Sequence, residues 1–104
     1  MGRSAQAKGR RAELELAQYL RDHGHIEAKP GSPASYGTEP DVTGLPGLHI
    51  ECKRHERLEI GRWYEQSQRD AAKMQDGRPV VIYRQNRKDW MILLSLSDFL
   101  EVTK

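Results

Sequence analysis

Two apolar runs in the second half of the chain place the strongest constraint on its fold. PVVIYRQ (Pro79–Gln85) and WMILLSL (Trp90–Leu96) do not alternate between apolar and polar residues. A strand with one face in water alternates, so these runs indicate strands that are covered on both faces. The polar turn Asn86–Asp89 joins them. We therefore predict a sheet with helices packed against it.

Periodicity and turn residues in the rest of the chain predict three helices and three further strands. The helices are predicted at about Ser4–His23, at about Ile60–Asp76 and in a short last segment, SDFLEV, that Ser97 caps. The strands are predicted at His25–Lys29, Asp41–Leu45 and Leu48–Arg54. The order α-β-β-β-α-β-β-α is typical of an α/β fold with a mixed central β-sheet flanked by helices.

Glycine and proline residues mark the ends of these elements. Gly24 and Gly77 follow the two long helices and are predicted to end them. Pro46-Gly47 is the predicted turn of a hairpin between the second and third strands. The inner face of the second helix is predicted to hold Ile60, Trp63, Tyr64, Ala71 and Met74.

Composition limits the class of protein. With 104 residues, 37% hydrophobic and 31% charged, the chain is expected to form a single soluble domain over residues 1–104. No apolar run approaches the ~20 residues of a membrane span. A single cysteine excludes an internal disulfide and fits a cytoplasmic location. The chain has no glycine-rich phosphate loop, so no nucleotide cofactor is expected. Its histidines lack zinc-ligand spacing and are expected at the surface.

The segment HIECKR brings an acid and a base together. In an alternating strand Glu51 and Lys53 share one face, and Ile50 and Cys52 share the other. Asp41 opens the partner strand of the hairpin, so its carboxylate can reach the same place. Carboxylates hold Mg²⁺ or Mn²⁺, which assist hydrolysis of phosphodiesters. Lys53 could orient or deprotonate the attacking water, and the carbonyl of Cys52 could add a neutral oxygen ligand. The thiol of Cys52 is expected to be a small core group.

The first helix carries an acid where an apolar residue is expected. Leu16, Ala17 and Leu20 form its apolar stripe, and Glu13 lies on the same stripe. Glu15 lies about 200° round the helix and is expected to face elsewhere. A carboxylate on a buried stripe is costly, so Glu13 requires an explanation.

The spacing of these residues resembles that of a known group of enzymes. Pro40-Asp41, followed ten positions later by Glu51-Cys52-Lys53, resembles the PD-(D/E)XK nuclease superfamily. KGRRAELELAQYLRDHG, with Gly9 and Glu13, resembles the first helix of the archaeal-type Holliday junction resolvases. PGS at Pro30–Ser32 resembles their small-residue loop. The resemblance is good over the first half of the chain, and it implies a restriction-endonuclease-like fold.

The resemblance also implies roles for individual residues. Glu13, Asp41 and Glu51 would be acids of a site for Mg²⁺, with Mn²⁺ as a substitute, and Lys53 would be the catalytic lysine. Ser32 would contact the substrate. A glutamine of the following helix would face the site, with Gln66 preferred over Gln68.

The implied partner is DNA. Arginines are clustered near the N-terminus and after the third strand, and we expect a phosphate-binding role for Arg10, Arg11, Arg54 and Arg57. The leading hypothesis is a metal-dependent endonuclease that cuts branched DNA as a homodimer, a Holliday junction resolvase. The alternatives are a nicking, repair or restriction-like nuclease on duplex or flap DNA, and a DNA-binding module that has lost catalysis. The intact set of acids and lysine argues against the module.

Overall fold

A sheet in the strand order β1-β2-β3-β4-β5 lies at the centre of the molecule. The structure is a computed structural model that describes residues 2–32 and 39–104, with side chains from residue 8 onward. Its helices are α1 (Gly2–Asp22), α2 (Ile60–Met74) and α3 (Leu96–Val102). Its strands are β1 (Lys29–Pro30), β2 (Val42–Thr43), β3 (Leu48–Arg54), β4 (Arg78–Arg84) and β5 (Met91–Leu93).

The sheet is mixed, as predicted. β3 and β4 are parallel and are connected through α2, whereas the other neighbouring strands are antiparallel. A parallel pair needs a crossover connection, and a helix provides it here. The predicted α/β architecture, a mixed sheet flanked by helices, is confirmed.

Alternation along β3 separates the two long helices. Ile50 packs with Leu16 and Ala17 of α1 in the apolar core. Lys53, of opposite parity, reaches α2, where its ammonium contacts Gln66. Successive strand residues point to opposite faces, so α1 and α2 cover opposite faces of the sheet.

The two apolar runs have different environments. Val80 and Val81 of β4 are fully buried, which confirms that this strand is covered on both faces. The same prediction for WMILL is wrong, because β5 is short and Met91 and Ile92 are 51% and 55% exposed. The strand is apolar without alternation, yet it lies at the edge of the sheet, and two of its side chains on opposite faces are largely in solvent.

The hairpin forms as predicted. Val42 of β2 pairs with Ile50 of β3, and the N–H of Leu48 donates to the carbonyl of Leu45 across the turn at 3.2 Å. Gly47 has φ +84°, which a turn with proline before glycine requires.

Several predicted boundaries need correction. The segment His25–Ala28 is a turn, and the strand expected at His25–Lys29 begins only at Lys29. Gln75, not Gly77, caps the end of α2 in the left-handed conformation. Ser95, not Ser97, caps α3, where its hydroxyl accepts from the N–H of Asp98. Ile60 is exposed and does not belong to the inner face of α2.

The end of α1 follows the prediction. Gly24 has φ +101°, and the N–H of His25 donates to the carbonyl of Leu20 at 3.0 Å. This left-handed termination suits glycine. None of the helices in the described residues is long and apolar enough to span a lipid bilayer.

Candidate active site

Asp41 lies where the ladder between β2 and β3 stops. Its own N–H donates to the carbonyl of Ile50 at 3.0 Å, and the regular strand begins one residue later. Beyond that point the N–H of Cys52 has no backbone acceptor on the β2 side. The carboxylate of Asp41 takes that place and accepts the N–H at 2.8 Å. The strand end therefore fixes the position of this acid.

Glu13 of α1 lies next to Asp41. Its side chain is only 22% exposed, and the guanidinium of Arg10 is 3.5 Å away. Burial, together with the charge of Asp41, raises the pKa of Glu13 to about 7 against the opposing effect of Arg10. The structure thus brings Glu13 and Asp41 together, as the resemblance implied.

Glu51 of β3 is also buried, and its carboxylate interacts with that of Asp41. It is 6% exposed, and its Oε1 lies 3.0 Å from Nε2 of His49. Burial raises the pKa of Glu51 to about 7; the hydrogen bond from His49 opposes this, and Asp41 and Asp70 add to it. The carboxylates of Glu13, Asp41 and Glu51 therefore form one chain of interacting acids in which Asp41 is the middle member.

Lys53 follows Glu51 on the same face of β3. Its ammonium donates to the side-chain oxygen of Gln66 at 2.9 Å. Gln68 is exposed. Of the two glutamines that the sequence suggested, Gln66 is therefore the one that contacts the lysine.

The carbonyl of Cys52 points to the side of β3 on which Asp41 lies. In a strand the N–H and the C=O of one residue point to the same side, and the N–H of Cys52 points to Asp41. Its thiol is partly buried on the opposite face from Glu51, and burial raises the pKa of that thiol. A thiol that stays protonated is a poor nucleophile, which agrees with the predicted packing role.

His49 corrects the expectation that the histidines lie at the surface. It is 0% exposed, and its two ring nitrogens contact different acids: Nδ1 lies 2.8 Å from Asp76 and Nε2 lies 3.0 Å from Glu51. Burial lowers the pKa of His49, but the hydrogen bonds that the ring donates to Glu51 and Asp76 outweigh burial, and the pKa is raised. The period of two that placed Glu51 and Lys53 on one face also places His49 there, so the sequence did contain this signal.

The residues fit a divalent cation. Among the described residues, His49, Glu51 and Asp70 offer ligand atoms that all lie within 4.8 Å of one another. Sequence reasoning missed two of these three. Asp41 and its neighbour Glu13 offer further carboxylate oxygens, and hard cations prefer oxygen ligands. Burial and, to a lesser extent, the charge of Asp41 raise the pKa of Glu13 and Glu51, and a bound cation would offset both effects.

Of the other predicted residues, Arg10, Arg54 and Ser32 have partners of their own. Arg10 donates to the carbonyl of Gly31 in the small-residue loop at 2.5 Å. Arg54 contacts Glu15 and Asn86, so its guanidinium belongs to an ion-pair network that also contains Arg84. Arg11 and Arg57 are exposed. The N–H of Ser32 donates to Glu39 at 3.1 Å, and its side chain is exposed. Residues 33–38 of the predicted loop lie outside the described residues.

Comparisons with known proteins identify the fold and the family. The chain is similar to the 1.6 Å structure of Hjc, a Holliday junction resolvase from the archaeal hyperthermophile Archaeoglobus fulgidus. The TM-score is 0.60 at 24% identity, covering 84% of this chain and 72% of that one, so this likeness shows the fold. Among curated protein sequences, none matches. A family model described as "Phage putative PDDEXK endonuclease" matches residues 4–103. Because that match covers nearly the whole chain, the protein belongs to the phage PDDEXK endonuclease family and is a nuclease.

Proposed function

We propose that the chain is a Mg²⁺-dependent endonuclease that hydrolyses phosphodiester bonds in branched DNA, with one nuclease domain over residues 1–104. One observation carries this proposal: the carboxylate of Asp41 interacts with both Glu13 and Glu51, and Lys53 follows Glu51 on the same face of β3. Such convergence of acids is expensive in a folded chain unless it serves a cation.

The chain's own residues account for most of the proposed chemistry. Glu13, Asp41, Glu51 and the carbonyl of Cys52 would hold Mg²⁺, or Mn²⁺ in its place. When bound, the cation supplies charge that stabilises the phosphorane and the leaving oxygen. Lys53 orients the attacking water or takes its proton, and its charge offsets the charge that develops on the phosphate. Gln66 accepts a hydrogen bond from Lys53 and so holds the ammonium in place.

Branched DNA is the proposed substrate. The fold is similar to that of a Holliday junction resolvase, and Arg11 and Arg57 are exposed cations available to phosphates. A four-way junction is two-fold symmetric, and two subunits would supply paired incisions. An apolar surface supports a homodimer: β5 and α3 expose Met91, Ile92, Leu96, Phe99, Leu100 and Val102. Surfaces of this kind are typical of protein interfaces.

Cleavage of a panel of labelled DNA structures tests the proposal. The panel holds a four-way junction, a flap, a duplex and a single strand, each with and without Mg²⁺. We expect paired cuts in the junction and no cutting without the cation. Preferential cutting of the flap or the duplex would instead support the nicking, repair or restriction-like alternative. Absence of cutting in every substrate would favour a DNA-binding module without catalysis.

A matched pair of variants tests the position of the lysine. Gln66→Ala removes the hydrogen bond to Lys53 and should lower the cleavage rate, whereas Gln68→Ala alters an exposed glutamine two residues away and should leave it unchanged. Equal rates in the two variants would exclude Gln66 from the site.

A further inference from the structure

We propose that His49, Glu51 and Asp70 form a second cation site, next to the first, that selects a transition-metal dication over Mg²⁺. This inference rests on the proposed nuclease centre, because Glu51 belongs to both sets of ligands. The second site has a nitrogen ligand, His49, which is not among the residues that the resemblance to the resolvases implies.

The orientation of His49 is the first argument. Its imidazole is fully buried, and Nδ1 lies 2.8 Å from the carboxylate of Asp76. A carboxylate accepts only, so Nδ1 carries the proton of that bond. Nε2 is then the ring atom that faces Glu51. A histidine that donates one ring N–H to a carboxylate and presents the other nitrogen is the usual arrangement of a metal-binding imidazole.

The distance between His49 and Glu51 is the second argument. Nε2 and Oε1 are 3.0 Å apart. Two ligands at right angles around an ion with bonds of roughly 2.1 Å are separated by roughly 3 Å. In the metal-free protein one proton lies between the two atoms, whichever of them carries it. A dication can take the place of that proton, which then leaves to solvent, without a large movement of either side chain.

The surroundings on α2 are the third argument. Asp70 brings a carboxylate oxygen within 4.8 Å of both other ligand atoms. Ser67 lies one helical turn before Asp70 and is fully buried. Within the part of the chain that the structure describes, its hydroxyl has no hydrogen-bond partner. Buried hydroxyls normally have one, so an unpaired Oγ beside Asp70 is available to a water that completes the coordination of the ion.

The donor set determines the class of metal. Mg²⁺ takes oxygen ligands, whereas imidazole nitrogen suits the transition metals. We therefore expect Mg²⁺ at the acids Glu13, Asp41 and Glu51. A transition-metal dication is expected at His49, Glu51 and Asp70. Mn²⁺ is the useful probe because it accepts both oxygen and nitrogen donors and has an electron-spin signal.

Pulsed electron paramagnetic resonance of Mn²⁺ bound to the full chain is the decisive measurement. We expect nitrogen coupling from an imidazole in the wild type. His49→Gln and Asp70→Asn should lose that coupling and weaken Mn²⁺ binding at this site at least about 10-fold, and Asp76→Asn should weaken it roughly 10- to 100-fold. His25→Gln, at an exposed histidine, is the matched control and should keep the coupling.

Every outcome bears on the proposal. Absence of nitrogen coupling in the wild type, or coupling that survives His49→Gln, would overturn it. If His49→Gln does not fold, the wild-type spectrum and Asp70→Asn still decide. Junction cleavage in Mg²⁺ alone, measured on the same wild-type protein, tests the proposed nuclease separately. Cleavage without nitrogen coupling would reject only the second site, whereas coupling without cleavage would reject only the proposed Mg²⁺-dependent cleavage of branched DNA.

Discussion

Asp41 connects the acids of the candidate site. Its carboxylate accepts the N–H of Cys52, and its charge raises the pKa of both Glu13 and Glu51. A change at this one residue therefore alters the electrostatics of two others. The same carboxylate also satisfies a backbone donor at the end of the ladder, so the site and the hairpin share one side chain.

Asp41→Asn should abolish cleavage while DNA binding survives or tightens. The amide oxygen can still accept from Cys52, so the fold is retained, but a metal ligand and a charge that repels phosphates are lost. Loss of several kcal/mol of transition-state stabilisation corresponds to at least about 1000-fold in rate. Glu51→Gln should also abolish cleavage while DNA binding survives or tightens. The measurement is junction cleavage in Mg²⁺ beside a gel-shift assay in its absence, with Asp89→Asn, at an exposed turn, as the control. Wild-type cutting by either site variant would mean that the site is elsewhere.

The stability of the metal-free protein should fall as pH rises. Glu13 and Glu51 have pKa values of about 7 in the folded chain, against 4.5 as the ordinary value. The folded state therefore holds more protons between these values. Stability from the two groups is fully present below pH 4.5 and is lost as pH rises through about 7. Thermal unfolding should give a lower Tm at about pH 8 than at about pH 5, and Mg²⁺ should restore it.

Glu13→Gln should flatten that dependence. It relieves repulsion among the acids, so the metal-free variant should be at least as stable as the wild type at about pH 8. Cleavage should nevertheless fall steeply and need more Mg²⁺. Glu65→Gln, on an exposed face of α2, should change neither property. A Glu13→Gln variant that melts several degrees lower yet cuts normally would assign Glu13 a purely structural role.

Local patterns predicted some members of the site and missed others. Glu51 and Lys53 follow from alternation within one strand, and the spacing to Asp41 follows from one hairpin. Alternation along the same strand also places His49 on the face of Glu51 and Lys53, although His49 was not among the predicted site residues. The contact of His49 with Asp76, which is 27 residues away along the chain, follows from no local pattern.

At the level of elements, Gly44 is where two segments approach most closely. A Cβ there would lie 2.2 Å from the carbonyl oxygen of Glu27, and the backbone has φ +105°. The end of β2 therefore contacts the turn after α1 without room for a side chain. Since β2 positions Asp41, this contact also supports the site.

Gly44→Ala should destabilise the chain by more than about 1 kcal/mol, because it adds both a steric clash and a backbone strain. Gly61→Ala is the matched control: it lies in α2 with nothing within 4 Å of its Cβ and should stabilise by up to about 1 kcal/mol. Denaturant unfolding of the two variants measures the difference. Equal midpoints would show that the close approach at Gly44 does not exist in solution.

The sequence predicted the order of the elements better than their ends. β4 was correct because its apolar run is covered by both layers. β5 also forms, but the prediction that both of its faces are covered was wrong: its run has the same apolar character, and whether a strand is central or at the edge depends on what packs beside it. Likewise, Gln75 and not Gly77 caps the end of α2. Glycine at position 77 has a different reason: a Cβ there would lie 2.8 Å from the backbone of Gly47.

At the level of the whole molecule, phosphate binding should be measurable as a salt dependence. Each arginine that contacts a phosphate adds ~0.9 to the slope of log affinity against log salt. A variant with alanine at Arg10, Arg11, Arg54 and Arg57 should therefore show a clearly smaller slope. Arg54→Ala alone should mainly lower stability, because Arg54 already contacts Glu15 and Asn86. An unchanged slope in the four-alanine variant would show that these arginines do not contact phosphates.

The apolar face of β5 and α3 should hold the proposed homodimer together. Ile92→Asp combined with Phe99→Asp places two charges on that face and should raise the dimer dissociation constant at least about 30-fold. Light scattering after size exclusion measures the mass in solution. Ile26→Asp changes an even more exposed apolar residue after α1 and should leave the dimer intact. A wild-type protein that is monomeric at all concentrations would reject the homodimer.

The parallel pairing of β3 with β4 also determines when the acids can meet during synthesis. The two strands are neighbours in the sheet, yet residues 55–77 separate them along the chain. A loop of that length must close before the strands make contact, which makes such pairing slow. Val80 and Val81, at the centre of the core, leave the ribosome after Glu13, Asp41 and Glu51. A nascent chain therefore carries all three acids before β4 has been made, and we expect the candidate site to assemble only after β4 has emerged.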